Sequence, residues 1–330
     1  MSQTASLEEI YQPIDADVNA VVDTMLSVLS TPNGLTDSVV RYFFSAKGKL
    51  LRPALTFLGA KLKGGVKAEQ RDSLLRLGAA YEIFHSATLI HDDIIDSAHI
   101  RRNLETVHLK WSPQVAVLVG DYMHDQSIKS IFEIGNQEII GLFLKTAGEV
   151  CDGEIHELKE RNNFDLTESE YLDIIHKKTA SLLACALSGG ALLAGATGEE
   201  KDALLRFGHY FGMAFQIVDD CLDLTGNQNE FGKTLGADLA AGVLTLPFIY
   251  LLSTSDATRK AMIHKSLASN RPDKLQELTE MVRDEGAIEY SLKRAAEFSD
   301  LARKELLRFE DSPGKRSLDR LLDYVLERSR

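Results

Sequence analysis

Cysteine is scarce in this chain, and the scarcity narrows the chemistry. The three thiols, Cys151, Cys185 and Cys221, are odd in number and too widely spaced for a zinc site. A disulfide framework and a thiolate-bound metal are both excluded, leaving buried thiols in a reducing compartment as the expectation. Proline occurs only seven times, mostly near segment starts. Basic residues are outnumbered, 37 against 49 acidic ones, for a formal net charge of −12. That sign disfavours nucleic acid and anionic membrane surfaces as partners. An anionic small molecule would need metal ions and local cations to invert the field. No long, strongly apolar run is present either. The uncharged stretch Thr179 to Gly198 contains Ser181, Ser188, Gly189, Gly190 and Thr197, so it reads as a buried core helix rather than a membrane span. Met1 to Glu9 is polar and short, unlike a secretory leader, and the cytoplasm is the expected location. No Ser-His-Asp or Cys-His nucleophile constellation is visible.

Helical periodicity runs throughout. Hydrophobic residues make up 44% of the 330, and no linker or convincing strand alternation interrupts them. Leu7 to Ser30 repeats Ile10, Ile14, Val18, Val21, Met25 and Val28 at helical spacing, ended by Thr31-Pro32-Asn33-Gly34. Further helices are predicted to about Phe44, over Pro53 to Lys63, and over Lys67 to Asp96. Ser97 to Val107 reads as a polar loop. Ser112-Pro113 is a cap and first-turn pair for a helix through Ile134. Glu138 to Lys159, Glu168 to Ala194 and Glu199 to Leu224 follow. A Gly- and Asn-containing loop spans Gly226 to Asp238, with four shorter helices after it. The expectation is an all-α single domain over residues 1–330.

The richest signal is a pair of acidic trios, Asp92-Asp93-Ile94-Ile95-Asp96 and Asp219-Asp220-Cys221-Leu222-Asp223. In a helix, i and i+4 share a face, and i+1 lies about 100° around it. Carboxylates this close repel one another unless cations intervene. All-oxygen donors suit Mg²⁺, which commonly takes one or two carboxylates and completes its shell with water and substrate phosphate. One trio alone could be a solvated helix end. Two, each closing an apolar helix, suggest a diphosphate held by metal ions between facing helices.

Cations are placed to match. Lys49 and Arg52 stand three apart in Gly48-Lys49-Leu50-Leu51-Arg52-Pro53; arginine can grip phosphate oxygens bidentately, and lysine adds a mobile charge. His85 lies seven residues before Asp92, two turns up the same face. Arg101-Arg102 follows the first trio, where a salt bridge to it is the competing reading. Lys178-Thr179 opens the long uncharged stretch, where a lysine needs an anionic partner. Gln216 is one turn before Asp219, and Lys233 lies on the loop beyond the second trio. His91, His124 and His156 read as structural. Glu154 and His156 are spaced wrongly for one helix face, so a second metal site there is not expected.

Taken with Phe215-Gln216-Ile217-Val218-Asp219-Asp220 and Thr245-Leu246-Pro247, these motifs resemble the trans-isoprenyl diphosphate synthases, or polyprenyl synthetases, over nearly the whole chain. The resemblance implies an isoprenoid synthase fold, antiparallel helices around a central cavity, usually as a homodimer. It implies condensation of an allylic prenyl diphosphate, farnesyl or geranylgeranyl, with isopentenyl diphosphate. By resemblance, Asp92, Asp93, Asp96, Asp219, Asp220 and Asp223 hold about three Mg²⁺ ions. Arg101, Lys178, Thr179, Gln216 and Lys233 then serve the allylic diphosphate, with Lys178 and Gln216 at the reacting centre. Lys49, Arg52, His85 and Arg102 hold isopentenyl diphosphate. In short-chain relatives a bulky aromatic at the position of Ala87 or Thr88 blocks the growing tail; here both are small, implying a medium or long product. Met123, Phe132 and Phe143 are candidates for a deeper floor.

The chain departs from the family pattern at Leu50, at Val243 where relatives often carry lysine, and at Asp152-Gly153-Glu154-Ile155-His156-Glu157 where a final glutamine is common. A terpene cyclase would share the fold and the first trio, but has no use for Lys49, Arg52 and His85. A non-catalytic subunit would show degraded trios, and both are intact. A catalytic subunit that needs a small partner remains the other alternative.

Overall fold

The structure, a computed structural model, describes residues 5–46, 48–225, 236–269 and 271–328. It opens with α1 (Leu7–Tyr11), a 3₁₀ turn at Gln12–Ile14 and α2 (Asp15–Val28). The single helix expected over Leu7 to Ser30 is therefore broken. Pro13 has no N–H to give the helical ladder, and the chain bends there. Next come α3 (Gly34–Ser45), capped by the Asn33 side chain, and α4 (Leu51–Leu62), with Pro53 inside its first turn. Then α5 (Arg71–Ile95) delivers the first trio.

The expected loop after α5 contains a small hairpin, the strand pair that alternation could not reveal. Strands β1 (Ile100–Arg101) and β2 (Leu104–Glu105) are only two residues each. Arg102 and Asn103 between them both have positive φ, 50° and 63°, as a two-residue I′ hairpin loop requires. Helix α6 (Val107–Lys110) is followed by α7 (Pro113–Ile134), where Ser112 caps as expected, and by α8 (Gln137–Glu160).

A second correction concerns Glu168 to Ala194. It is α9 (Glu168–Ile175), a π turn at His176–Ala180, and α10 (Ser181–Leu193). Helix α11 (Gly198–Thr225) brings in the second trio. A short turn of helix at Ala237–Ala240 precedes five helices rather than four: Leu246–Thr254, Ala257–Ser269, Pro272–Asp284, Ala287–Leu306 and Pro313–Glu327.

Helix α10 is apolar on every side and is buried from Ser181 to Leu192, as a helix without a polar face must be. It packs on α4, α8 and α11, while α5 lies along α7 and α4, and α11 along Ala287–Leu306. The buried side chains form one contiguous cluster. Cys185 and Cys221 are buried within the bundle, but Cys151 is exposed on α8, against expectation. No helix among the described residues is long and apolar enough to cross a membrane.

Candidate active site

Both trios sit in the last turns of long helices, where the helix dipole disfavours negative charge and favours cations. Within each trio the helix geometry separates one carboxylate from the other two. Asp93 is 2% exposed, and Arg101 Nε donates to its Oδ1 at 2.7 Å. Asp220 is 5% exposed and accepts from Tyr171 Oη at 2.6 Å and Gln216 Nε2 at 2.7 Å. Burial raises both carboxyls above their usual range. The i and i+4 members are less buried: Asp92, Asp96, Asp219 and Asp223.

A cleft of about 770 Å³, its mouth included, joins the two poles; it is lined by Asp96 of the first trio, Asp220 of the second, and Lys178, Thr179 and Gln216 between them. The π turn His176–Ala180 carries Lys178 and Thr179 into it; such insertions are common at functional sites. Thr179 Oγ1 donates to Gln216 Oε1 at 2.8 Å, so Thr179, Gln216, Asp220 and Tyr171 form one hydrogen-bonded chain. The anionic partner that Lys178 needs is supplied by Glu154 (2.9 Å) and Glu157 of α8. Burial works against its charge, but Glu157, Glu154 and Asp92 outweigh that and hold the ammonium protonated. Asp92 is pushed up to about 7, by burial first and then by Glu154. Gly153 lets α8 approach the π turn this closely: a Cβ there would lie 2.7 Å from the Lys178 backbone nitrogen.

Further cationic and polar residues, Arg52, Arg102 and His85, gather near Glu82. Arg52 and Arg102 both feel Glu82, and their guanidinium groups in turn act on His85. Burial lowers Arg52 to about 10, still charged at neutral pH. Burial and then Arg52, Arg102 and Arg101 drive the His85 imidazole well below its usual value, so it is neutral there. Lys49 is lowered by burial and by Arg328, against the pull of Asp219, so it lies towards the second trio. The structure thus groups Arg52, Arg102 and His85 near Glu82, sets Lys178 in the cleft and turns Lys49 towards Asp219; Lys233 lies outside the described residues. The reading of Arg101 as a salt-bridge partner also holds, through Asp93.

The donor chemistry fits Mg²⁺, since oxygen atoms alone face the cleft from the trios. Among the described residues, no three acidic, His or Cys side chains converge closely enough to hold a metal unaided. An ion there would share two carboxylates and take the rest of its shell from a substrate phosphate.

The sequence profile of the polyprenyl synthetase family matches residues 33–284. The chain belongs to that family. It is 33% identical over 321 residues to the all-trans-nonaprenyl-diphosphate synthase (geranyl-diphosphate specific) of Rhodobacter capsulatus, covering 97% of this chain and 98% of that one. It is 38% identical over 247 residues to heptaprenyl diphosphate synthase component 2 of Geobacillus stearothermophilus, covering 75% and 76%. The fold superposes with a TM-score of 0.93 on a polyprenyl synthase from Caulobacter crescentus CB15, complexed with calcium and isoprenyl diphosphate, at 28% identity and over 100% and 99% of the two chains. The protein is a prenyltransferase with the all-α isoprenoid synthase fold, and its family is Mg²⁺-dependent.

Several residues of this polyprenyl synthetase site escaped sequence reasoning. Arg328 donates to Asp219 Oδ1 at 3.0 Å, and its guanidinium lies 5.4 Å from the Phe215 ring centroid. Tyr171, Glu154 and Glu157 complete the surroundings of Asp220 and Lys178. The spacing of Tyr171, seven before Lys178, was the available signal; Arg328 gave none. Of the chain-length candidates, Ala87 is fully buried, while the Thr88 hydroxyl bonds to the His85 carbonyl at 2.8 Å. Met123 and Phe143 point into the core, and Phe84, one turn below Ala87, packs edge-on against Phe143 at 5.3 Å. Phe132 is 54% exposed on the outside of α7 and cannot be a tunnel floor.

Proposed function

We propose that this polyprenyl synthetase extends an allylic diphosphate with isopentenyl diphosphate to an all-trans product of medium or long chain, about six to ten isoprene units by family analogy. The observation that supports this best is the single cleft lined by both acidic poles, with Lys178, Thr179 and Gln216 between them. Mg²⁺, about three ions, bound by Asp92 and Asp96 and by Asp219 and Asp223, would neutralise the departing diphosphate. Lys178 and, by resemblance, Arg101 and Lys233 add positive charge to that leaving group as the allylic C–O bond breaks. The apolar side chains that line the cleft, Leu166, Ile174, Ile175, Val243 and Leu244, shield the cation from water, and the Gln216 amide, fixed by Thr179 and Asp220, lies beside the reacting carbon. Lys49, Arg52, Arg102 and neutral His85 hold the second diphosphate, so the double bond of isopentenyl diphosphate attacks and a proton is then lost to the released diphosphate.

We read residues 1–330 as one catalytic unit, in a reducing cytoplasm that suits its three free thiols, and as a homodimer. Outward side chains Leu118 (67% exposed), Phe132 and Leu144 (45%) form an apolar surface on α7 and α8 that a second copy would cover. The test of function is a product profile with Mg²⁺, labelled isopentenyl diphosphate and geranyl, farnesyl or geranylgeranyl starters. A ladder ending at one dominant length beyond geranylgeranyl is expected. A product no longer than that starter would overturn the chain-length reading. No product from any starter, with the protein folded, would point to a required second subunit.

A further inference from the structure

We propose that Arg161 is an additional ligand for the allylic diphosphate, an inference that rests on the reading of the cleft given above. Helix α8 stops at Glu160, and Arg161 leaves it with an extended backbone, φ −57° and ψ 133°. The next residue is locked in place. Asn162, at φ 60°, donates its N–H to the Gly242 carbonyl at 2.8 Å. Gly242, at φ 79°, comes so close that a Cβ there would lie 2.5 Å from Asn162 Oδ1. This clasp joins the end of α8 to the segment containing Val243 and directs the Arg161 guanidinium onto Asp96, with which it forms an ion pair. Asp96, Glu160 and Val243 all line the cleft.

The guanidinium has capacity left over. Arg161 Nε is buried with no hydrogen-bond partner, and arginine carries five N–H donors in a fork suited to phosphate. Lys178, which lines the cleft, is engaged by Glu154 and Glu157, and Arg101 is engaged by Asp93. Asp96 is among the residues that would hold Mg²⁺. A diphosphate sharing an ion with Asp96 brings its oxygens within reach of the guanidinium that already touches that carboxylate.

The experiment compares Arg161→Ala, Arg161→Lys and Arg161→Ala/Val243→Lys with the parent. It measures KM for each substrate, the Mg²⁺ requirement, calorimetric binding of inorganic pyrophosphate with Mg²⁺, and thermal unfolding. Loss of the guanidinium should raise the allylic KM and weaken pyrophosphate binding about tenfold. The KM for isopentenyl diphosphate should stay within about twofold. Lysine should give an intermediate value, and Val243→Lys, which puts an ammonium into the same cleft, should recover part of the loss. Unchanged allylic KM and pyrophosphate affinity would overturn the assignment. So would an altered Mg²⁺ requirement alone, which would make Arg161 a mere counter-ion of Asp96, or equal weakening of both substrates with a lower melting temperature. A parent protein inactive on every allylic diphosphate would instead point to a required second subunit, and pyrophosphate binding would still judge Arg161.

Discussion

Asp93 and Asp220 have the same residue type as their neighbours and a different situation. Each is buried and already bonded, one to Arg101 and the other to Tyr171 and Gln216. The 100° offset of the i+1 position accounts for that separation, although the sequence reading gave all six aspartates to the metal ions. The partners were not legible in the sequence: Tyr171 lies 49 positions from Asp220, and Arg328 lies 109 from Asp219, distances that local spacing does not encode. Replacing Asp92 or Asp219 with alanine should lower Mg²⁺-dependent turnover by at least about a hundredfold, with the helical circular dichroism signal kept. Near-normal rates in either variant would refute the assignment of the metal pole. Asp92 also carries a pH signature. Its carboxyl titrates near 7 in the folded chain against 3.8 ordinarily, so between those values the native state binds the extra proton and stability falls as pH rises. Without Mg²⁺, the melting temperature should decline from about pH 4 to pH 7, and Asp92→Asn should flatten that slope.

The π turn decides where Lys178 and Thr179 point, and periodicity misses it because His176 to Ser181 contain a single apolar residue, Ala180, too few to reveal a one-residue slip. A helix without the extra residue would carry the lysine to another face. Gly153 is the position that tests this. Gly153→Ala would press a methyl group against the Lys178 backbone nitrogen, and we expect a loss of about 1–3 kcal/mol in urea unfolding, together with a raised allylic KM. Full activity and stability would mean that α8 can retreat freely. The length of α5 below Asp92 sets a second prediction. Ala87 is buried one turn above Phe84, so Ala87→Phe should shorten the product ladder, read by chromatography of labelled chains. An unaltered distribution would place the tail along another face. The two-residue strands of the hairpin were beyond sequence reach, since alternation needs more residues than they contain.

An all-α bundle was legible at the level of the whole molecule, because nearly every segment carries a 3.6-residue repeat and α10 is apolar on all sides. Chain breaks were less so: Pro13 divides the first helix, and the C-terminal third holds one helix more than expected. The outer apolar surface of α7 and α8 gives a prediction at this scale. Leu118→Glu with Phe132→Glu should convert a dimer to a monomer in light scattering; a parent that is already monomeric would rule out the homodimer. The hairpin has a consequence for the molecule as a whole. Arg101 reaches Asp93 at the first acidic pole, while Arg102, its neighbour, lies against Gly48 in the cluster assigned to isopentenyl diphosphate. In the proposed assignment, one rigid peptide plane separates the grips on two different substrates. Under that assignment, a shift of the backbone at one site on binding would reach the other, and thermodynamic reciprocity would make any change of affinity the same in both directions. Two consecutive arginines would then tie the occupancy of one site to that of the other, whichever substrate arrives first.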